Sequence, residues 1–354
     1  MASSKLFKPV TIGKITLSHR IGLCPLTRHR ASDDHVPSEL AVQYYKQRSS
    51  VPGTLLITEG TFISAADGGN INIPGIYNQQ QIHAWRKVTD AVHANGGYIF
   101  CQLWALGRAA NPEVARREGI TPVSSSPARL SLEFPIPHEL TIDEIKEKVQ
   151  AYATAARNAI AAGFDGVELH GANGALTSME AISRIAPVFA IEVVTAVSEA
   201  IGPEKTGIRF SPWSRFQGMR MNDPIPQFSH ILRNISKLGI AYIHLVESRI
   251  AGNADVESQD SLEFAYDIWK GPLLVAGGFK PDSARHLVDE QHPDKDIIVM
   301  FGRYFISTPD LPFRIRNELS LNDYNRDTFY TPMASGGYID YPFSDEFLAQ
   351  KATA

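Results

Sequence analysis

Cysteine is nearly absent: the 354 residues contain two, Cys24 and Cys101. Both sit in apolar, strand-like stretches and read as buried reduced thiols, which excludes a disulfide framework and a cysteine-based metal site. Blocks of like charge are also missing. With 34 Lys and Arg against 38 Asp and Glu, and a net charge of -4, the chain lacks the basic footprint that nucleic-acid binding requires. Small-molecule partners are favoured instead. No apolar run is long or charge-free enough to cross a bilayer, and the opening MASSKLFKPV has no signal-peptide core, so the expectation is a soluble, cytoplasmic protein with no membrane partner. No glycine-rich dinucleotide fingerprint follows the first strand, where CPLTRHR stands; a doubly wound sheet is therefore disfavoured.

What the chain does have is a recurring unit: an apolar strand, a polar loop, an amphipathic helix, a glycine, and the next strand. Strands are expected at 21–27, 54–59, 98–103, 165–170, 206–210, 241–246, 272–276 and 297–301. Helices are expected between them. In Gln81–Asn95, Trp85, Val88 and Val92 share one face; in Thr141–Ala162, Thr141 and Glu144 have capping-box spacing ahead of a stripe of Ile145, Val149, Tyr152, Ala156 and Ile160. Further helices are expected at Pro187–Ile201, Gln227–Leu238 and near 260–269 and 281–290. Residues 5–20 read as a hairpin around Gly13 and Lys14, a lid or plug ahead of the first of these strands. The whole predicts an α/β fold, a (β/α)8 TIM barrel with an N-terminal hairpin and a C-terminal extension, forming a single domain over 1–354.

In such a barrel the chemistry gathers at the C-terminal ends of the strands. The fourth strand ends in DGVELHGANGA, residues 165–175, where His170 and Asn173 could together grip a carbonyl oxygen through two hydrogen-bond donors. Such a pair is equally a turn or a satisfied core pair, so the other strand ends must decide. Those ends carry Pro25, Leu26 and Thr27; Glu59 and Gly60; Gln102 and Trp104; Arg209; Gly277 and Gly278; and Gly302 and Arg303. Glycines after the last two strands, backed by an arginine, suit a phosphate held by backbone N–H groups and a guanidinium.

The constellation resembles the Old Yellow Enzyme family of flavin-dependent ene-reductases. The resemblance runs through LFKPVTIG, PLTRHR, TEGTFIS, CQLWALGR, FDGVELHGANG, IRFSPWSRFQGM, AGGF, FGRYFISTPDLPFRI and NRDTFY, nearly the whole chain. It implies bound FMN, NADPH as reductant, and an α,β-unsaturated aldehyde or ketone as substrate. Pro25, Leu26, Thr27, Gly60, Gln102 and His170 would then border the flavin ring, with Phe329 nearby. Arg209 would face the N1/O2 edge; Gly277, Gly278, Gly302 and Arg303 would hold the phosphate; and His170, Asn173 and Tyr330 would meet the substrate. The side-chain chemistry agrees. A Thr27 hydroxyl suits the C4/N5 side, the Gln102 amide matches a donor–acceptor edge, and Arg209 suits an anionic reduced flavin.

Two departures from the family pattern adjoin that anchor. The family usually continues HGANGY, with the tyrosine as proton donor; this chain has Ala175. A long loop containing Asp-Glu-Tyr-Gly-Gly usually follows, whereas here the short TSMEAISRIA leads to the next helix. Among fungal members the pattern is most similar to the ergot-alkaloid branch that acts on chanoclavine-I aldehyde as reductase or isomerase. The expectation is an FMN oxidoreductase of that type, inactive or strongly impaired as an ene-reductase. The alternatives are an active NADPH-dependent reductase or isomerase, a non-catalytic flavin-binding protein, and a barrel with unrelated phosphate-ligand chemistry.

Overall fold

In the computed structural model, residues 4–172, 185–218, 221–248, 250–251, 254–255 and 260–353 are described. The apolar stretches form barrel strands β1 (Ile21–Leu23), β2 (Leu55–Ile57), β3 (Tyr98–Trp104), β4 (Gly166–His170), β5 (Thr206–Phe210), β6 (Tyr242–Val246), β7 (Leu273–Ala276) and β8 (Ile297–Phe301). Each pairs in parallel with its successor, and β8 pairs with β1 through Val299 opposite Ile21, closing the ring. A two-residue strand, Thr61–Phe62, adds to the end of β3.

Alternation along the strands sorts their side chains into two cores. Leu56, Ile99, Cys101, Leu103, Val167, Leu169, Ile208, Ile243, Leu245 and Val299 point outward and pack under the helices. Leu55, Ile57, Phe100, Tyr242, Leu274, Ile298 and Met300 point inward. The N-terminal hairpin, Val10–Ile12 paired antiparallel with Ile15–Leu17, packs Val10, Ile12 and Leu17 onto this inner set. Lys14 at its tip reaches Glu204, just ahead of β5, at 2.6 Å. The hairpin is therefore a plug at the strands' N-terminal ends, leaving the opposite mouth for chemistry.

The helices are α1 (Glu39–Arg48), α2 (Gln79–His93), α3 (Ile142–Ala161), α4 (Ile185–Ile201), α5 (Ile225–Ile235), α6 (Glu263–Ile268) and α7 (Pro281–His286). The Thr141–Glu144 capping box forms as expected. Helix α2 starts two residues earlier than expected because Asn78 and Gln81 make a capping box of their own. Trp85, Val88 and Val92 are fully buried beneath it, and the Trp85 indole N–H donates to the Gly75 carbonyl at 3.0 Å. Truncating Trp85 to alanine would cost about 3–5 kcal/mol.

Other boundaries also differ. The expected strand 54–59 is regular over Leu55–Ile57, after which the chain turns to bring Glu59 inward; the expected helix 281–290 becomes a π-turn over Leu287–Gln291. Helix α1 was not anticipated. Its buried face is Ala41, Tyr44, Tyr45 and Arg48, a set with one small apolar residue, two phenols and a guanidinium that hydropathy does not count as core.

Candidate active site

At the C-terminal mouth of the barrel lies a cavity of about 470 Å³. Pro25, Leu26, Thr27, Gln102, Trp104, His170, Arg209, Gly277, Gly278, Gly302, Arg303, Phe329 and Tyr330 all line it. These residues, drawn from six strand ends and the C-terminal segment, thus converge on one volume. Gly60 is not in the lining. It is buried at close approach to Trp104, where a Cβ would lie 2.4 Å from the indole ring. Asn173 and Ala175 lie outside the described residues.

His170 ends β4, directly opposite Arg209 in the parallel register with β5. Its Nδ1 is buried without a hydrogen-bond partner. Burial, reinforced by the Arg209 charge and by His244, pushes its pKa down to about 3. The ring is therefore neutral at physiological pH, able to give or take a hydrogen bond but holding no imidazolium proton to release. Arg209 directs Nη2 towards the Cys24 sulfur at 3.7 Å, while its Nε is buried and unpartnered. Burial raises the Cys24 thiol to about 11 against the opposing pull of Arg209, so the thiol stays neutral. No carboxylate among the described residues pairs with Arg209 at ion-pair distance, and its positive charge at the cavity wall is unneutralised. A partly anionic ring would supply what is missing.

Two glycines follow β7. Gly277 has φ 149° and Gly278 φ 67°, and a Cβ on Gly277 would lie 2.3 Å from Glu247 Cβ. The backbone there turns in a way closed to other residues, so no side chain from these two positions stands over the cavity wall. Arg303 follows β8 with its guanidinium 5.5 Å from the Tyr324 ring centroid.

Beneath the cavity lies a polar layer that strand-end reasoning missed. Glu168, two residues before His170 and so facing the same interior, accepts from Gln102 Nε2 at 2.8 Å and Tyr242 OH at 3.2 Å, and meets His244 Nδ1 at 2.8 Å. The signal was present: a glutamate alternating in phase with His170 has to point inward.

A second unforeseen device holds the aromatics over the mouth. Arg28 Nε and Arg30 Nη1 both donate to the Phe329 carbonyl, at 3.1 and 2.9 Å. Arg30 also donates to Thr328 and Ala334 carbonyls, and Arg28 to that of Gly337. Both guanidiniums lie over the Tyr338 ring, at 4.9 and 5.0 Å. Residues 328–338 thereby become a strap that buries Phe329 and sets Tyr330 half-exposed at the rim, 6.0 Å from the His29 ring. Glu59 is the nearby carboxylate: it accepts from the Arg28 backbone N–H at 3.0 Å, and burial raises its pKa to about 7.

A parallel barrel with these strand-end residues defines a flavin oxidoreductase. The chain belongs to the NADH:flavin oxidoreductase / NADH oxidase family, whose model matches residues 5–179 and 184–322. The break between the matched segments falls in the shortened stretch after Ala175. Among individual proteins, the chain is 52% identical to a chanoclavine-I aldehyde reductase of Penicillium roqueforti, over 99% of this chain and 98% of that one. It is 44% identical to a probable inactive dehydrogenase of Claviceps fusiformis, again over 99% and 98%. The solved Old Yellow Enzyme from a Pichia species superposes with a TM-score of 0.89 at 32% identity, covering 98% of this chain and 95% of the other.

FMN is the cofactor of this family, with NADPH as the reductant, and the residues present fit it. The unneutralised Arg209 and the unpartnered Nδ1 of His170 are what a ring with an anionic edge would satisfy, and the turn at Gly277 and Gly278, lining the same cavity, carries no side chain that would exclude a phosphate tail.

Proposed function

We propose that the whole chain, 1–354, acts as one FMN-binding barrel of ergot-alkaloid type metabolism, strongly impaired as an ene-reductase. The observation that carries the reading is the contrast at the mouth of the barrel. His170, Gln102, Arg209 and the glycines after β7 and β8 line one cavity, yet His170 is a neutral ring and position 175 is alanine.

In this reading Thr27, Gln102 and Arg209 hold the flavin ring, Gly277, Gly278, Gly302 and Arg303 the phosphate, and Phe329 packs at its side. His170 and Asn173 polarise a conjugated carbonyl oxygen, and Tyr330 borders the substrate. When bound, FMN supplies a hydride to the carbon beta to the carbonyl. Saturation also needs a proton at the alpha carbon. A positioned acid is worth ~10²–10⁴ in rate, and Ala175 has none to give. His170 cannot replace it, because its proton is engaged in a neutral ring. A sequence after Ala175 shorter than the family usually carries would add a second cost through weaker substrate orientation, so Ala175→Tyr should restore activity only in part.

The name of the Penicillium relative favours a second reading, a working reductase or isomerase of an enal such as chanoclavine-I aldehyde that draws its proton from water. Anaerobic stopped flow separates the two: NADPH reduces the flavin, the enal is added, and reoxidation and product are followed. The impaired reading expects normal reduction and very slow reoxidation. Rapid reoxidation with stoichiometric saturated aldehyde overturns it, and isomerised product without net NADPH use favours the isomerase.

A further inference from the structure

The Glu168 layer lies one hydrogen bond from the cavity wall. Gln102 is the connection. Its backbone N–H is held by Thr58 Oγ1 at 2.9 Å, and its side-chain Nε2 donates to Glu168 Oε1 at 2.8 Å. An isolated primary amide offers two nearly isosteric faces, and its orientation is decided by its partners. Glu168 decides it here. Three groups converge on its carboxyl, Gln102 Nε2, Tyr242 OH and His244 Nδ1, the arrangement that an acceptor-only carboxylate requires. With its nitrogen committed downward, Gln102 turns its oxygen to the cavity that it lines. His244 completes the lock: Nδ1 faces Glu168, while Nε2 is buried with no partner.

We propose that Glu168 is a positioning residue for cofactor recognition: by binding the Gln102 amide nitrogen it fixes the amide oxygen as the group offered to the flavin, so that the site selects a ring edge bearing an N–H donor. The inference rests on the FMN reading and deepens it. Without the carboxylate the amide is free to flip, and half of its orientations set an NH2 group against a donor.

The test is a cycle of variants read by FMN affinity, from quenching of flavin fluorescence, and by the visible absorption band of the bound flavin. E168Q, which replaces an obligate acceptor by a second ambivalent amide, is expected to weaken FMN binding about tenfold and to shift the band. In the Q102L background the same substitution is expected to change neither, because the residue through which it acts is gone. Equal losses in both backgrounds would mean that Glu168 merely supports the barrel, and would overturn the proposal. So would an E168Q protein that binds FMN as the parent does. Should E168Q fail to fold, Q102E tests the same contact from the other side. A carboxylate placed against Glu168 is expected to bind FMN at least tenfold more weakly than Q102L, and equal or tighter binding overturns the inference. A parent protein that takes up no FMN refutes the cofactor reading, and this inference with it; a parent that binds FMN while the cycle shows no coupling refutes the inference alone.

Discussion

Two buried neutral histidines make the apoprotein sensitive to acid, and the size of the effect follows from where they sit. His19, at the base of β1, is fully buried. The Ile21 N–H donates to its Nδ1 at 3.3 Å, so its proton is on Nε2, directed at Thr54 Oγ1 at 3.0 Å. Burial, aided by the charge of Arg316, lowers its pKa from 6.5 to about 3, and His170 is lowered to the same value. A base with a depressed folded pKa leaves the unfolded chain binding the extra proton. The contribution of each of these histidines to stability therefore falls as pH drops through 6.5 and continues to fall until about 3. Glu59, raised by burial to about 7, works in the opposite direction over the upper part of that range, so the comparison of parent with variant carries the test. Between pH 7 and 5 each histidine removes about 2 kcal/mol, from 1.36 kcal/mol for each pKa unit of separation that is traversed. His93, raised by its hydrogen bond to Asp165, works in the opposite direction but is partly exposed and contributes little. The assay is urea denaturation followed by circular dichroism at pH 7, 6 and 5, for the parent and for His19→Gln. The variant should be less stable at pH 7, and its deficit should shrink by about 2 kcal/mol by pH 5, because glutamine takes up no proton in either state. Parallel pH dependences in the two proteins would refute the linkage argument.

Other consequences can be measured directly. Arg303→Ala should weaken FMN binding by about 1.5–3 kcal/mol if its guanidinium pairs with the phosphate, and an unchanged affinity in a fluorescence titration would remove it from the site. Gly277→Ala forces a Cβ into Glu247 at a φ that alanine avoids, so FMN affinity and melting temperature should both fall, with strain of roughly 1–3 kcal/mol. A variant that binds and melts like the parent would show that the turn relaxes freely. Arg30→Met should loosen the strap, and limited proteolysis should cut within 328–338 many times faster than in the parent; equal cutting rates would argue that the remaining arginines suffice.

Much of the architecture was legible because it is written in short-range patterns. The apolar alternation of the eight strands, the Thr141–Glu144 cap and the turn at Gly13 each lie within a few residues, and each forms where expected. The cavity wall was legible for a related reason: in this barrel any residue ending a strand arrives at the same mouth. Gly60 marks the limit of that logic, since lying after a strand does not establish which side of Trp104 a residue faces. The Glu168 layer was missed although its phase with His170 placed it inside. Reading only the strand ends ignored what supports them. The strap was beyond local reasoning altogether, because Arg28 meets carbonyls 301 and 309 residues further along the chain.

The strap's anchorage has a consequence for how such a site can diversify. Arg28 and Arg30 seize main-chain oxygens at 328, 329, 334 and 337, and Arg48 those of Phe305 and Tyr338; none of these contacts reads the identity of the side chain attached. A grip on carbonyls is indifferent to composition. The residues that overhang the cavity can therefore be exchanged one for another while the segment stays docked, and the rim at Tyr330 can be reshaped for a new guest without re-evolving its anchorage. The barrel's chemistry and its selectivity are in this sense separately editable, and directed change of specificity in this chain would begin at 330–336 and leave Phe329 and the three buried guanidiniums untouched.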